Sequence, residues 1–344
     1  MSREIILVDS VTKGGIYRVA IIQAKYLKWK LVSMCNYRPW TELLENVSVE
    51  YLSTISIPKL QRTINILNAM FLKKVNRQEL TIAHQFDACY LAMRSKVKYI
   101  GYIHDLHYSP IPQTRLTIPL IRKLEKKALE KAEIIISNSD NTKTQLESIY
   151  NLDSIVIEPT IIEVPNIDES VIKQKENTLL IVCRLSEVDK VLPVVEHIRR
   201  ELSDLKIIIA GAYNQIIWKR VQKIKKLNIE LKVDVSEKEL RSLYLRSKAV
   251  LQPFGENFGL VPLEAAVYFT VPIIHYKCGV AKYFSHGTNG FVFKEPTSVV
   301  KYVCQILGEK FEQLAVNARE NIIKKGLTID NYIRRITKVL QNAR

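Results

Sequence analysis

Short apolar runs rich in β-branched residues alternate along the chain with longer stretches in which apolar positions recur every three to four residues. The short runs predict buried strands, and the longer stretches predict amphipathic helices. In the first part of the chain the predicted strands are Ile5–Val8, Leu31–Met34, Leu80–His84, Val97–His104 and Glu133–Ser137, and the predicted helices are Tyr17–Leu27, Leu60–Val75 and Ile118–Lys131. This βαβ rhythm is typical of a parallel sheet covered by helices on both faces.

A second series of the same kind begins near residue 178. Its predicted strands are Thr178–Cys183, Leu205–Ala210, Ala249–Gln252 and Pro272–His275, and its predicted helices are Leu192–Leu202, Trp218–Leu227, Glu237–Arg246 and Pro262–Tyr268. The stretch between the two series, from Glu158 to Glu169, contains two prolines and is interpreted as a linker.

These patterns predict an α/β fold with two Rossmann-like, doubly wound parallel-sheet domains that face a cleft. We place the domains at residues 1–164 and 165–329, followed by a basic C-terminal helix at 330–344, for which a return to the N-terminal domain is one option. Ligands of such sheets bind at the carboxyl ends of the strands, which locates a site without naming its chemistry.

Composition and charge narrow the range of functions. The chain has 344 residues, of which 47% are hydrophobic, enough for two buried cores. Its net charge of +16 is spread over both halves and is compatible with nucleic acid, an anionic membrane surface or anionic small substrates. The absence of a basic-aromatic recognition motif disfavours nucleic acid. No apolar run approaches the roughly 20 residues of a membrane span, no signal-peptide pattern is present, and the five dispersed cysteines indicate reduced thiols in a cytoplasmic protein.

The chemistry is most concentrated in the block from Pro253 to Ala266. Glu256 lies in a predicted loop after a strand, and Glu264 lies eight positions later in the first turns of a helix. Carboxylates so placed can accept hydrogen bonds from sugar and ribose hydroxyls, with backbone N–H groups between them for an anion. Two bare glutamates at this spacing would more often be a helix glutamate and a surface glutamate.

The residues around the two glutamates favour the functional interpretation. The block resembles the E-G-F-G-L-x-x-L-E-A signature of the family-four (group 1) retaining glycosyltransferases, which have the GT-B fold. The residues that match in register are Glu256, Phe258, Gly259, Leu260, Leu263, Glu264 and Ala265, with Asn257 in place of the second glycine. The resemblance implies that Glu256 holds the transferred sugar and Glu264 the nucleotide ribose. It also implies that the N–H groups of Phe258, Gly259 and Leu260 face the sugar and diphosphate.

Further segments match in the family's order. Val182–Lys190 resembles the G-R-L-x(4–5)-K-G segment, which implies that Arg184 and Lys190 clamp the donor diphosphate, although Cys183 and Val191 replace its glycines. The strand end at Gly211 resembles the family's I-x-G, and Gly211 is expected near the nucleotide base. Ile136–Lys143 and Gly287–Phe293 resemble segments to which we assign structural roles.

The N-terminal part carries two weaker matches. Lys13-Gly14-Gly15 resembles the family's glycine loop after the first strand, which places Gly15 among the donor-binding residues, and glycine permits close approach to a phosphate. His104 resembles the strand-ending histidine near the anomeric centre. Because no third ligand joins His104 and His107, a metal site is not expected.

The resemblance therefore implies a metal-independent hexosyltransferase that needs no cofactor beyond its nucleoside-diphosphate sugar donor. Its catalytic residues would be Arg184, Lys190, Glu256 and His104, and its acceptor a hydroxyl on a glycan, a lipid-linked molecule or a small molecule. The basic residues Arg122, Lys123, Lys126, Lys127 and Lys131 leave open a peripheral contact with the inner face of an anionic membrane, against the alternative of a solvated helix face.

Two rival functions remain open. A nucleotide-sugar 2-epimerase shares the architecture, and the glutamate block favours the transferase over it. The altered glycines also fit a non-catalytic nucleotide-binding or nucleic-acid-binding protein. An NAD enzyme is disfavoured because no G-x-G-x-x-G follows the first strand.

Overall fold

The computed structural model describes residues 4–11, 13–35, 40–52, 75, 80–106, 117–212, 224 and 226–343. The chain divides into two compact units. Unit 1 comprises Met1–Pro159 together with Asp330–Arg344, and unit 2 comprises Thr160–Ile329.

Unit 1 is built on a seven-stranded parallel sheet. Its strands are β1 (Ile5–Val8), β2 (Lys30–Ser33), β3 (Val49–Tyr51), β4 (Thr81–His84), β5 (Tyr99–Ile103), β6 (Ile134–Ser137) and β7 (Ile155–Val156), in the order β3-β2-β1-β4-β5-β6-β7. The helices between them are α1 (Gly15–Leu27), α2 (Thr41–Leu44), α3 (Gln85–Ser95), α4 (Thr117–Leu129) and α5 (Asp140–Tyr150). Every residue of β1 is at most 1% exposed, as expected for a central strand covered on both faces.

Unit 2 is built on a six-stranded parallel sheet. Its strands are β8 (Glu176–Val182), β9 (Lys206–Gly211), β10 (Glu230–Val233), β11 (Ser247–Gln252), β12 (Val271–His275) and β13 (Phe291–Phe293), in the order β10-β9-β8-β11-β12-β13. The helices are α6 (Val188–Glu201), α7 (Glu237–Arg246), α8 (Val261–Ala266), α9 (Ser298–Leu307) and α10 (Phe311–Lys324).

The last helix, α11 (Ile329–Ala343), belongs to unit 1 from Asp330 onwards. One side of this helix is buried, through Tyr332, Ile336, Val339, Leu340 and Ala343. Arg335 on the same helix donates a hydrogen bond to the carbonyl oxygen of Val156 in β7. The chain therefore completes unit 2 and then returns to unit 1.

The predicted α/β class, with doubly wound parallel sheets, is confirmed. Each predicted strand is present within two residues at either end. The predicted helices Leu60–Val75 and Trp218–Leu227 lie largely outside the described residues. The other predicted helices begin and end within two residues of their predicted bounds, with one exception: the helix predicted from Leu192 begins at Val188, because Val188 and Val191 extend its buried face. The helix predicted to reach Tyr268 ends at Ala266, shortly before Phe269 adopts a left-handed φ of 59°.

Candidate functional site

The two sheets have the same topology around their central strands. In unit 2 the chain runs outwards from β8 through β9 to β10, and then returns to the other side of β8 with β11. Helix connections leave β8 and β11 in opposite directions at this point, so a crevice forms at their carboxyl ends. The residues that follow β8 and β11 include Arg184 and Glu256, which the sequence singled out.

The segment after β8 carries two cations around one carboxylate. The carbonyl of Arg184 accepts a hydrogen bond from the N–H of Glu187 (2.8 Å), which forms a tight turn before α6. Glu187 Oε2 lies 3.3 Å from Arg184 Nε, and Glu187 Oε1 lies 3.1 Å from Lys190 Nζ. The two cationic side chains are more than half exposed, whereas Glu187 is mostly buried between them. Lys190 Nζ also lies 5.2 Å from the centre of the Phe254 ring.

Glu256 lies in the loop after β11, half-buried, and its side chain is hydrogen-bonded to Gln252. Burial raises the pKa of its carboxyl, and the negative charge of Glu187 acts in the same direction. The positive charges of Arg184 and Lys190 lower this pKa. The four charged groups Arg184, Glu187, Lys190 and Glu256, which we call the β8/β11 cluster, therefore share one electrostatic environment.

A second segment braces the Glu256 loop from behind. The carbonyl of Glu256 accepts a hydrogen bond from the N–H of Gly279 (3.0 Å), and the carbonyl of Phe258 accepts one from the Cys278 thiol (3.1 Å). Gly259 has a left-handed φ of 88°, and a Cβ at this position would lie 2.6 Å from the Cys278 sulfur. This position therefore requires glycine for both conformation and space. The same packing leaves Phe258 only 3% exposed, so its side chain is a core residue and only its backbone can face a ligand.

Glu264 lies on α8 and is held by a tyrosine. The hydroxyl of Tyr244, at the end of α7, donates a hydrogen bond to Glu264 Oε2 (3.1 Å). Both residues are buried, with Glu264 8% exposed. Leu260 forms the N-cap of α8 and supplies the carbonyl that accepts from the N–H groups of Leu263 and Glu264 (3.0 Å each). A buried carboxylate in a fixed orientation is suited to accept hydrogen bonds from a diol.

The remaining predicted residue of unit 2, Gly211, ends β9 beside β8. A Cβ added to Gly211 would lie 1.9 Å from the carbonyl oxygen of Cys183. The N–H of Cys183 in turn donates to the carbonyl of Ala210 (3.0 Å). Gly211 therefore allows β9 to pass close to the residue that precedes Arg184.

In unit 1 the predicted residue His104 follows β5 and is only 5% exposed. Gln85 Oε1 accepts hydrogen bonds from the N–H groups of His104 (3.1 Å) and Asp105 (3.4 Å), and the Thr142 hydroxyl donates to the carbonyl of His104 (3.4 Å). Gln85 itself has a φ of 71°, a strained conformation for a residue other than glycine. The His104 ring lies against a second buried histidine, His84, with 3.0 Å between His104 Nε2 and His84 Nδ1.

The predicted glycine of unit 1 is less constrained. Gly15 is the first residue of α1, is exposed, and has no described atom within 4 Å of a Cβ built on it. Packing within unit 1 therefore does not explain a glycine at this position. His107, the second histidine of the H-x-x-H pattern, lies outside the described residues.

Sequence reasoning missed four residues of these arrangements: Glu187, Gln252, Tyr244 and His84. Glu187 could have been noted, because it lies three positions from each of the two cations and the intervening turn places it between them. Gln252, Tyr244 and His84 contact their partners through the fold, and no local pattern marks them.

No group of three or more His, Cys, Asp or Glu residues in the described part of the chain could hold a metal ion. None of its helices is long and apolar enough to cross a membrane.

Comparison with known proteins identifies the family of the second unit. Residues 165–328 match the family model described as "Glycosyl transferases group 1". No curated protein sequence matches the chain.

Solved structures match over nearly the whole chain. HepE from Anabaena, whose structure is described as a complex with UDP and glucose, matches with a TM-score of 0.78 and 17% identity, over 99% of this chain and 100% of HepE. Sucrose-phosphate synthase from Thermosynechococcus elongatus gives 0.74 and 14%, over 98% of each chain. A glycosyltransferase from Rickettsia africae gives 0.73 and 17%, over 99% of this chain and 98% of that one. At these identities the matches establish the GT-B fold.

Proposed function

We propose, from the premise that unit 2 belongs to the group 1 glycosyltransferases and that the chain has the GT-B fold, that it transfers a hexosyl group from a nucleoside-diphosphate sugar to a hydroxyl acceptor with retention of configuration. The observation that carries the proposal is the β8/β11 cluster. Two cations that can neutralise a diphosphate and a carboxylate that can hold a sugar meet at the switch point of one sheet.

The proposed reaction breaks the bond between the anomeric carbon and the diphosphate oxygen, and forms a bond from that carbon to the acceptor oxygen. Negative charge develops on the departing diphosphate, where Arg184 and Lys190 stabilise it. Arg184 can donate two hydrogen bonds in a fork, and Lys190 adds a point charge. The acceptor's proton passes to an oxygen of the leaving phosphate on the same face of the sugar. No protein nucleophile and no metal ion takes part in this scheme.

Glu256 orients the sugar in this proposal. Its ionised carboxylate accepts hydrogen bonds from sugar hydroxyls, and its backbone is fixed by Gly279. Holding a reactant in its reacting geometry supplies a large part of the acceleration in many enzymes. Glu264, oriented by Tyr244, accepts from the ribose hydroxyls, while Gly211 passes near the base. In unit 1, His104 is proposed as a further catalytic residue and Gly15 as a donor-binding residue.

The donor and acceptor classes follow from analogy and are part of the proposal. The structures of HepE are described with UDP and with UDP-glucose, which makes UDP-sugars the first donors to assay.

A glycan or lipid-linked acceptor is proposed. The exposed face of α4 carries Arg122, Lys123, Lys126 and Lys127 beside Leu120, which is 55% exposed. Such a face suits peripheral binding to anionic lipid, and flotation with vesicles of anionic or neutral lipid tests it.

Product analysis tests the proposal directly. The protein is incubated with nucleotide sugars and candidate acceptors, and NMR of the product reports the anomeric configuration. We expect a retained configuration, and a fall in kcat/KM of about a hundredfold or more in Arg184→Ala and in Glu256→Gln, in the range measured for lost transition-state hydrogen bonds. Lys206→Ala is the matched control, because Lys206 starts β9 at the opposite end of the sheet.

Each rival function predicts a different result. An epimerase would convert the donor to its epimer without an acceptor, and a binding protein would bind nucleoside diphosphate without turnover. Either result, or full activity in both Arg184→Ala and Glu256→Gln, would refute the proposed transferase.

A further inference from the structure

A continuous chain of buried polar side chains runs through unit 1 and ends at His104. It consists of His104, His84, Gln23, Tyr332 and Tyr102. None of the five is more than 5% exposed. They come from four distant parts of the sequence: α1, the end of β4, the end of β5 and the C-terminal helix α11. Buried polar groups must satisfy one another, so the direction of each hydrogen bond in such a chain constrains the next.

The direction is set at one end by a backbone carbonyl. The Tyr102 hydroxyl lies 2.6 Å from the carbonyl oxygen of Ile157. A carbonyl oxygen can only accept, so the single hydroxyl proton of Tyr102 points to Ile157. The Tyr102 oxygen must then accept in its contact with the Tyr332 hydroxyl, 3.4 Å away, and the proton of Tyr332 is committed to it.

The proton of Tyr332 in turn fixes the orientation of the Gln23 side-chain amide. Because the Tyr332 proton points to Tyr102, the Tyr332 oxygen accepts from its other neighbour, Gln23. The Gln23 group 2.6 Å from Tyr332 is therefore the amide nitrogen Nε2. The carbonyl oxygen Oε1 of Gln23 then faces His84 Nε2 at 2.9 Å. An amide oxygen only accepts, so His84 carries a proton on Nε2.

Both histidines are neutral. Burial lowers the pKa of His84 well below its ordinary value, with a further contribution from His104. Burial also lowers the pKa of His104, to about 3. A neutral imidazole has a single N–H, so His84 Nδ1 is an acceptor. Its neighbour at 3.0 Å, His104 Nε2, must then donate.

We propose that Tyr332, acting through Gln23 and His84, is a positioning residue that fixes His104 as its Nε2–H tautomer. His104 Nδ1 is then a hydrogen-bond acceptor. If His104 contacts the donor sugar, as the proposed function requires, it accepts a hydrogen bond from a hydroxyl and does not act as a general acid. The proposal rests on the proposed function only for this last consequence.

The C-terminal helix α11 thereby has a role beyond packing. The helix follows the segment that matches the family model and returns to unit 1, where Tyr332 is buried at its first turn. Within the chain of buried polar side chains, Tyr332 connects Tyr102, whose proton points to the Ile157 carbonyl, with Gln23. Tyr332 therefore determines which end of the Gln23 amide faces His84.

The test is NMR of the full chain labelled with ¹⁵N in its six histidines, without donor or acceptor. The ring nitrogen shifts separate the two neutral tautomers from the doubly protonated form, and His104→Gln assigns the His104 signals by their loss. We expect protonated Nε2 and unprotonated Nδ1 at His104. In Tyr332→Phe the amide of Gln23 loses its acceptor and can rotate, so we expect both tautomers of His104 to be populated.

Tyr99→Phe is the matched control. Tyr99 is also a buried β5 tyrosine whose hydroxyl donates to a backbone carbonyl, that of Ala128, but it lies outside the chain. We expect Tyr99→Phe to keep the wild-type tautomer. Tyr102→Phe is a second test, because it removes the acceptor that directs the Tyr332 proton. We expect it to mix the tautomers as Tyr332→Phe does, so either variant tests the proposal if the other fails to fold.

Turnover gives an independent readout once a donor is known. In Tyr332→Phe only the fraction of molecules with the correct tautomer is competent, so we expect kcat/KM to fall about two- to tenfold. A wild-type His104 protonated on Nδ1, or an unchanged tautomer in both Tyr332→Phe and Tyr102→Phe, would overturn the proposal. These spectra require no substrate. They can therefore refute the proposed tautomer of His104 while transfer activity is found, or support that tautomer while no transfer activity is found.

Discussion

Gly211 and Cys183 are in such close contact that a methyl group on Gly211 would lie 1.9 Å from the carbonyl oxygen of Cys183. Backbone at Cys183 would have to move to admit an alanine, and Arg184 is the next residue. We expect Gly211→Ala to lower the free energy of unfolding by about 1–3 kcal/mol, the usual cost of overpacking. We also expect it to weaken nucleoside-diphosphate binding. Thermal unfolding measures the change in stability, and calorimetric titration measures the change in binding.

Gly15→Ala is the matched comparison. No described atom lies within 4 Å of the added methyl group, and alanine is more favourable than glycine in a helix by about 0.5–1 kcal/mol. We expect unchanged or slightly higher stability with reduced turnover, if the backbone at Gly15 approaches the donor. Normal turnover would remove Gly15 from the donor-binding residues, and a Gly211→Ala protein as stable as wild type would contradict the steric argument.

Glu187→Gln tests the balance of charge in the β8/β11 cluster. Glu187 pairs with both Arg184 and Lys190, the residues proposed to bind the diphosphate. Removing its charge leaves both cations more available, and exposed ion pairs are worth about 0.2–1 kcal/mol. We therefore expect nucleoside diphosphate to bind up to about fivefold more tightly, measured by titration.

The control for this change is Glu196→Gln, which removes an equal charge from an exposed position further along α6. We expect no change in binding there. Weaker binding in Glu187→Gln alone would mean that Glu187 positions the cations instead of competing for them.

The strands that the sequence predicted are those buried on both faces, because their apolar runs leave no other interpretation. The four edge strands, β3, β7, β10 and β13, were missed. None is longer than four residues, and β3 and β10, with the sequences Val-Glu-Tyr and Glu-Leu-Lys-Val, are also partly polar, as edge positions permit. Residues exposed at a sheet edge need not be apolar, so periodicity does not reveal them.

The residues of the candidate site likewise divide into those that the sequence revealed and those that it did not. Arg184, Glu256 and Glu264 could be found because their chemistry is carried by local motifs. The residues that position them could not be found from local patterns. His84 meets Gln23 and His104 only after β4, α1 and β5 have assembled, and Tyr332 is 230 positions from Tyr102. Partners that meet through tertiary structure leave no spacing to recognise.

The raised pKa of Glu256 predicts the acidic limb of the pH profile. Its carboxylate accepts hydrogen bonds only when ionised, so kcat/KM should rise with pH through this pKa and fall below it. Lys190 lowers this pKa and Glu187 raises it. We expect the limb to move to higher pH in Lys190→Met and to lower pH in Glu187→Gln, with Glu196→Gln as the unshifted control. If the acidic limb moved in the same direction in Lys190→Met and in Glu187→Gln, Glu256 would be excluded as the titrating group.

The buried histidines predict how the stability of unit 1 depends on pH. Their pKa values in the folded protein are lowered, to about 3 for His104, from an ordinary 6.5. Below pH 6.5 the unfolded chain binds protons that the folded chain does not, so stability falls as pH decreases, by about 1.4 kcal/mol per pH unit for each histidine. For His104 this loss ends near pH 3, where the folded state also takes up the proton.

Unfolding in denaturant between pH 5 and pH 8 measures this dependence. In a Trp218→Phe background the remaining tryptophans, Trp29 and Trp40, are both buried in unit 1, so their fluorescence reports that unit. The variant with His84→Gln and His104→Gln keeps hydrogen-bonding groups at both positions but cannot titrate there. We expect it to be less stable than its parent at pH 8 and to lose less stability on going to pH 5. Equal losses in the two proteins would show that both histidines are charged in the folded state as they are in the unfolded chain, which would also remove the neutral rings on which the tautomer of His104 depends.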